Sequence, residues 1–90
     1  MKNPKPKHYF ATIKEQHGEY EHTTDYLFTT AGDPFEYTDK VSKTWYGDEE
    51  SEPADSGGYW HNGEIISSVG EVEEIPASHF AILKKYLSVL

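Results

Sequence analysis

The sequence predicts an α+β fold: a small two-layer sandwich in which an antiparallel sheet of about four strands carries two helices on one face, in the order ββαββα. Three observations support this prediction. The 90 residues fit a single small domain. Two stretches rich in strand-forming residues each contain a turn signal. Each is followed by a segment with helix-end signals and apolar residues at helical spacing.

The first seven residues, MKNPKPK, are expected to form a disordered basic tail. They contain two prolines, three lysines and no apolar residue beyond Met1. Burial of such a segment would not offset the entropy lost on ordering it. The folded domain is therefore expected to span residues 8–90.

A β-hairpin is predicted from His8 to Thr30, where Tyr, Phe, Ile, Thr and Leu are enriched. His17 and Gly18 interrupt this pattern and are expected to form the turn. The resulting register sets two faces, because side chains alternate along a strand. The core face is expected to hold Tyr9, Ala11, Ile13, His22, Thr24, Tyr26 and Phe28. The opposite face is expected to hold Phe10, Thr12, Lys14, Glu21, Thr23 and Asp25, with Lys14 directly opposite Glu21 as an ion pair.

A helix is predicted in AGDPFEYTDKVSKTWYG, which carries signals for both helix ends. Asp33 is the expected N-cap, Pro34 the first helical residue, Glu36 the partner in a capping box, and Gly47 the stop. Apolar positions at spacings of three and four predict the buried stripe, which comprises Phe35, Thr38, Val41 and Trp45.

The second half repeats this plan. Asn62-Gly63 is a strong hairpin-turn signal. The stretch from Glu64 to Ile75 is compatible with one long strand bent at Gly70 or with two short strands. Pro76 ends it, and Ser78 is the expected cap of a last helix. The apolar stripe of that helix is expected to be buried against the sheet, and it comprises Phe80, Ile82, Leu83, Tyr86, Leu87 and Val89.

Charge is the strongest compositional signal. Eight basic residues stand against sixteen acidic ones, for a net charge of −8, and no residue is Arg or Cys. Such a field repels phosphate groups, so direct binding to nucleic acid or to an anionic membrane is not expected. The chain has no apolar run long enough for a membrane span and no secretory leader pattern. A cytoplasmic protein is therefore expected. Acidity that serves solubility alone would account equally well for the negative charge.

Motifs for known chemistry are missing. The sequence has no nucleophile elbow, phosphate-binding loop or zinc-protease motif, and the chain is therefore expected not to be an enzyme and to need no cofactor. HGEYEH, from His17 to His22, would place its imidazoles and carboxylates on diverging sides of a hairpin. The acidic stretch from Asp48 to Asp55 lacks the glycine and the terminal Glu of an EF-hand loop. No metal site is therefore expected.

The stretch YGDEESEPADSGGYW, from Tyr46 to Trp60, is the main candidate for a binding surface. It crowds five carboxylates between aromatic pairs without a basic residue. Tyr and Trp are enriched at the centres of interfaces, and surrounding carboxylates steer basic partners. Trp45 is expected to belong to the core. The predicted partner-binding residues are Tyr46, Asp48, Glu49, Glu50, Glu52, Asp55, Tyr59, Trp60, Glu64, Glu71, Glu73 and Glu74.

These observations predict a protein-binding module for a basic partner, most plainly a nucleic-acid-binding protein whose phosphate sites the carboxylates would occupy. In size, charge and lack of catalytic motifs, the chain is similar to the small inhibitors that phages and mobile elements direct against CRISPR or restriction systems. Two alternatives stay open. One is an assembly subunit that forms a homodimer or larger homo-oligomer, for example through its sheet edges. The other is a small enzyme or ligand-binding domain with a pocket between the sheet and the helices.

Overall fold

The computed structural model describes residues 5–47, 51–55 and 57–90, and these form one six-stranded sheet with two helices. In chain order the elements are β1 (Lys7–His17), β2 (Tyr20–Thr30), α1 (Pro34–Lys43), β3 (Glu52–Pro53), β4 (Tyr59–His61), β5 (Ile65–Ile75), α2 (Ala77–Leu83) and β6 (Ser88–Val89). The strand order across the sheet is β3-β4-β5-β1-β2-β6. The predicted α+β class is confirmed. The sheet has more strands than predicted, and it is mixed because β6 pairs parallel to β2.

The predicted first hairpin forms, but its register differs from the prediction by two residues. His17 pairs with Tyr20, so the turn lies at Gly18 and Glu19 instead of His17 and Gly18. Gly18 adopts a φ of 61°, a backbone conformation that favours glycine. A shift of two residues preserves side-chain alternation, so both faces keep their predicted members. Lys14 lies diagonally from Glu21, and their charged groups are 3.4 Å apart.

The first strand includes the last residue of the predicted tail. Strand β1 begins at Lys7, one residue before the predicted start at residue 8, and Lys7 pairs with Thr30. The Lys7 ammonium is 3.6 Å from the carboxylate of Glu74. Residues 1–4 of the predicted tail lie outside the described residues.

Strand β5 resolves the two readings of the second half, because Ile65–Ile75 is one strand that pairs with β1 along its length. The pairing shifts register between Ala11 and Ile13, which is a β-bulge. Gly70 lies in this irregular part, and a Cβ atom there would overlap Oγ1 of Thr12. The predicted turn before β5 is confirmed, since Asn62 and Gly63 both have positive φ.

Helix α1 packs on the core face of β5, β1 and β2. As predicted, the Asp33 carboxylate accepts a hydrogen bond from the backbone N–H of Phe35 (2.8 Å) and caps the helix. The Phe35 side chain itself is 65% exposed, which corrects its assignment to the buried stripe. The core consists of Tyr9, Ala11, Ile13, Tyr26 and Phe28, with Tyr37, Val41, Trp45 and Val72 packed against them.

Helix α2 corrects the prediction of two helices on one face. The ring of Phe80 contacts the ring of His8, with centroids 4.4 Å apart. His8 is adjacent to the core residue Tyr9 on β1, so its side chain points to the opposite side of the sheet. Helix α2 therefore contacts the side that α1 does not.

The chain after α2 also differs from the prediction. Helix α2 ends at Leu83, and its N-cap is Pro76 instead of Ser78. A turn then leads to β6, whose Ser88 pairs with Tyr26. The expected burial of the apolar stripe is wrong: no residue of α2 is buried, and the side chains of Ile82 and Tyr86 are exposed.

Replacement of Gly70 by alanine is expected to destabilise the fold. The added methyl group would overlap Thr12 Oγ1, and such overpacking costs about 1–3 kcal/mol. Urea denaturation followed by circular dichroism measures the change. Gly32→Ala is the matched control, because a Cβ at Gly32 would lie 3.6 Å from its nearest neighbour. Equal denaturation midpoints for the two variants would contradict this account of the bulge.

Candidate functional site

The side of the sheet opposite α1 brings together residues from five strands, and we call it the open face although α2 contacts it near His8. Strand pairing places them in rows, since directly opposed residues point the same way. One row contains Glu73, Phe10 and the fully buried Leu27, and another contains Thr12 and Asp25. The row at the far end contains Glu52, Trp60, Ile66, Gln16 and Glu21.

A groove of about 590 Å³ crosses the open face. Its centre is Thr12, whose Oγ1 accepts a hydrogen bond from the backbone N–H of Glu71 (2.7 Å). The bulge at Gly70 brings Glu71 to this position, and the absence of a side chain at Gly70 leaves room for the Thr12 hydroxyl. The lining residues are Phe10, Thr12, Lys14, Thr23, Asp25, Val69, Gly70 and Glu71.

The groove is acidic and partly apolar. Asp25 and Glu71 are exposed, and Phe10 is half-buried. Lys14 is the basic residue of the lining, and its ammonium group is 3.4 Å from Glu21. Within residues 5–47, 51–55 and 57–90, neither Asp25 nor Glu71 forms an ion pair. The groove therefore presents two carboxylates beside an aromatic ring.

A second group of polar residues lies buried between α1 and the sheet. The side chains of Ser42, His61 and Ser67 are each at most 1% exposed. Ser67 Oγ is 2.7 Å from His61 Nε2 and 2.9 Å from Ser42 Oγ, and it donates a hydrogen bond to the Ser42 carbonyl (2.8 Å). These bonds join α1, β4 and β5.

The hydrogen-bond partners of Ser67 favour a structural role for this group over that of a nucleophile and its base. Ser67 has one hydroxyl hydrogen, and the Ser42 carbonyl, which can only accept, takes it. His61 Nε2 must then donate to Ser67 Oγ, which is the reverse of what an activated serine requires. Nδ1 of His61 and Oγ of Ser51 are buried and have no hydrogen-bond partner among the described residues. The arrangement serves to fasten α1 to the sheet.

Glu15 is a buried carboxylate beside this group, at the end of β1. Trp45 Nε1 donates a hydrogen bond to its Oε1, and His17 Nε2 lies 2.8 Å from its Oε2. Burial raises the pKa of Glu15, but hydrogen bonds from His17, Trp45 and Tyr46 and the charge of His17 outweigh it. The net pKa therefore falls below its ordinary value of 4.5.

The predicted partner-binding residues are divided between the two sides of the sheet. Glu52, Trp60, Glu71 and Glu73 belong to the open face, where the Trp60 side chain is 37% exposed. The other described members lie elsewhere. Tyr59 donates a hydrogen bond to Asp39 of α1 (2.7 Å), and the centroid of the Tyr46 ring is 5.1 Å from that of the buried His61 ring. Glu74 pairs with the core residue Tyr9. Asp55 and Glu64 lie in turns.

Three of the predicted carboxylates, Asp48, Glu49 and Glu50, lie outside the described residues. The remaining carboxylates do not form one continuous row, because Glu74 lies on the other side of the sheet from Glu73 and because Asp55 and Glu64 lie in turns. The flanking aromatic residues Tyr59 and Trp60 are adjacent on β4 and also point to opposite sides. Among the described residues, the structure therefore brings together the members on the open face and leaves the others apart from them.

Sequence reasoning missed Phe10, Thr12 and Asp25 as site residues. It assigned all three to the correct face of the hairpin, so the alternation signal was present. The signal that was lacking is the register of β5, because it is the bulge at Gly70 that brings Glu71 beside Thr12.

In the part of the chain that the structure describes, no cluster of three or more His, Asp or Glu side chains could hold a metal ion. The described helices include none that is both long and apolar enough to cross a membrane. Comparisons of the chain with protein-family models, curated proteins and solved structures find no match.

The free energy of unfolding is expected to fall at acidic pH, partly because Glu15 becomes protonated. A carboxyl whose pKa is lowered by folding stabilises the protein above its unfolded pKa, and this contribution is lost as the pH falls through the folded value. Urea denaturation from about pH 7 to about pH 3 measures the effect. Glu15→Gln should show a shallower loss of stability than the wild type, whereas the exposed control Glu19→Gln should keep the wild-type slope. Identical slopes for both variants would refute the role of Glu15.

Proposed function

We propose that this chain is a non-enzymatic protein-binding module whose acidic surface engages a basic surface of a nucleic-acid-binding protein. The observation that carries the proposal is the open face, where Trp60 and Phe10 lie among the carboxylates of Asp25, Glu52, Glu71 and Glu73. Aromatic side chains supply contact area at an interface, and carboxylates around them attract and orient basic partners.

Nucleic-acid mimicry is the mode of action that these charges favour. Carboxylates present to Lys and Arg much the same potential as phosphates do, and both accept hydrogen bonds from a guanidinium group. The chain as a whole carries a net charge of −8, which would speed its encounter with a basic partner. The same charge opposes direct binding of nucleic acid by the chain itself.

An inhibitory role follows from this mode of binding, since a mimic that occupies phosphate sites blocks the natural ligand. We therefore place the chain among small inhibitors of the phage anti-defence kind, directed against CRISPR or restriction proteins. The sequence segment from Asp48 to Glu50 carries three further carboxylates. Its contribution is testable separately from that of the open face.

Self-association is a second candidate function, favoured by apolar side chains near the end of the chain. Ile82 of α2 and Tyr86 in the turn that follows are exposed, and Val89 of β6 is 51% exposed. Apolar contacts of this kind change little with ionic strength, whereas acidic-surface binding weakens steeply as salt rises. Sedimentation at low and high salt separates the two candidates.

Capture from a nuclease-treated lysate of the native host is expected to recover a nucleic-acid-binding protein with the immobilised wild-type chain. Elution with rising salt and with a competing oligonucleotide should both release it, because both oppose contacts between carboxylates and basic side chains. Mass spectrometry identifies the released protein.

Three variants locate the contact. Asp25→Asn with Glu71→Gln should lose the captured protein if the open face binds it. Asp48→Lys with Glu49→Lys and Glu50→Lys should lose it if the acidic segment binds it. The control, Glu19→Gln with Glu36→Gln, removes two exposed carboxylates elsewhere and should retain it. Capture that survives both sets of changes, or that resists salt and oligonucleotide, would contradict the proposal.

A further inference from the structure

We propose that the groove over Thr12 binds a single arginine side chain of the partner protein. This assignment rests on the proposed function, because it names the group of the partner that the acidic surface would recognise. Asp25 and Glu71 flank Thr12 on its two neighbouring strands, β2 and β5. Their side chains stand at the same level of the open face and border one cavity.

The spacing of the two carboxylates suits a planar cation that can donate in two directions. Neighbouring strands lie about 4.8 Å apart, so the backbones of Asp25 and Glu71 are separated by about 10 Å across Thr12. Both side chains are long enough to reach inward from these positions. A guanidinium group has five N–H donors in a fixed plane and can bond a carboxylate on each side at once.

The floor and wall of the groove suit the rest of an arginine side chain. The groove is deep at Thr12 and Gly70, because Gly70 has no side chain and any Cβ there would displace the Thr12 hydroxyl. Phe10 precedes Thr12 on the same face of β1 and is half-buried, so part of its ring remains accessible. A guanidinium plane stacks on such a ring, and the methylene groups of arginine pack against apolar surface.

Arginine is favoured over lysine and over a metal ion by the same features. Lysine presents a compact, strongly hydrated charge and lacks the planar pairs of N–H donors that bond a carboxylate through both oxygens. A metal ion would need converging ligands, and the two carboxylates stand on opposite sides of Thr12. The Lys14 side chain of the groove is held by Glu21, at 3.4 Å, instead of by Asp25 or Glu71.

Binding of fluorescently labelled hexa-arginine, hexa-lysine and hexa-citrulline peptides, followed by anisotropy at low salt, tests this assignment. The wild type should prefer hexa-arginine to hexa-lysine and should not bind hexa-citrulline, which keeps the shape without the charge. Asp25→Asn with Glu71→Gln should weaken hexa-arginine binding by roughly tenfold and remove the preference over lysine. Phe10→Leu, which keeps an apolar side chain but loses the ring, should reduce the same preference.

The control Glu19→Gln with Glu36→Gln should retain both the affinity and the arginine preference, and circular dichroism verifies that each variant is folded. Equal binding of hexa-arginine and hexa-lysine by the wild type, or equal weakening by the groove and control variants, would overturn the arginine groove. Either result would leave the acidic binding module intact, because the capture experiment judges that proposal independently. Failure of all three peptides to bind would overturn the groove, and failed capture would overturn the module.

Discussion

The double pairing of β1 is the constraint on which the rest of the structure depends. Paired with β2 on one side and β5 on the other, β1 assigns alternate side chains to two environments. Tyr9, Ala11 and Ile13 are buried under α1, while Phe10, Thr12 and Lys14 belong to the open face. A slip of one residue would exchange these sets, so burial of the core simultaneously orients the groove.

Polar contacts then hold the elements that burial alone does not position. Ser67 connects β5 to α1 through Ser42 and to β4 through His61. Glu15 binds Trp45 just after α1. Groups so fully buried are costly to leave without partners, so these bonds specify where α1 lies on the sheet. Helix α1 thereby covers one side of the sheet, and the carboxylates of Asp25 and Glu71 on the other side remain exposed.

Local signals in the sequence predicted the elements better than their long-range arrangement. Asp33, Pro34 and Asn62-Gly63 act through neighbouring backbone and were interpreted correctly. The turn at Gly18 was misplaced by one residue, yet the faces survived because side-chain alternation has a period of two. By contrast, the apolar stripe after Ser78 could not reveal that the chain leaves α2 at Leu83 and pairs with β2, because that pairing depends on residues far away in sequence. The groove was not predicted for the same reason, because the contact of Glu71 with Thr12 depends on a bulge in the pairing of two strands far apart in sequence.

Methyl NMR spectra recorded during titration with hexa-arginine would test most directly the claim that the open face is the binding surface. Thr12 and Thr23 carry methyl groups at the groove, whereas Ala11 and Ile13, on the same β1 strand as Thr12, carry theirs in the core under α1. The account predicts that the two threonine methyl signals shift progressively while those of Ala11 and Ile13 stay in place. Shifts confined to Ala11 and Ile13, or to neither pair although the peptide binds, would show that the partner contacts another surface.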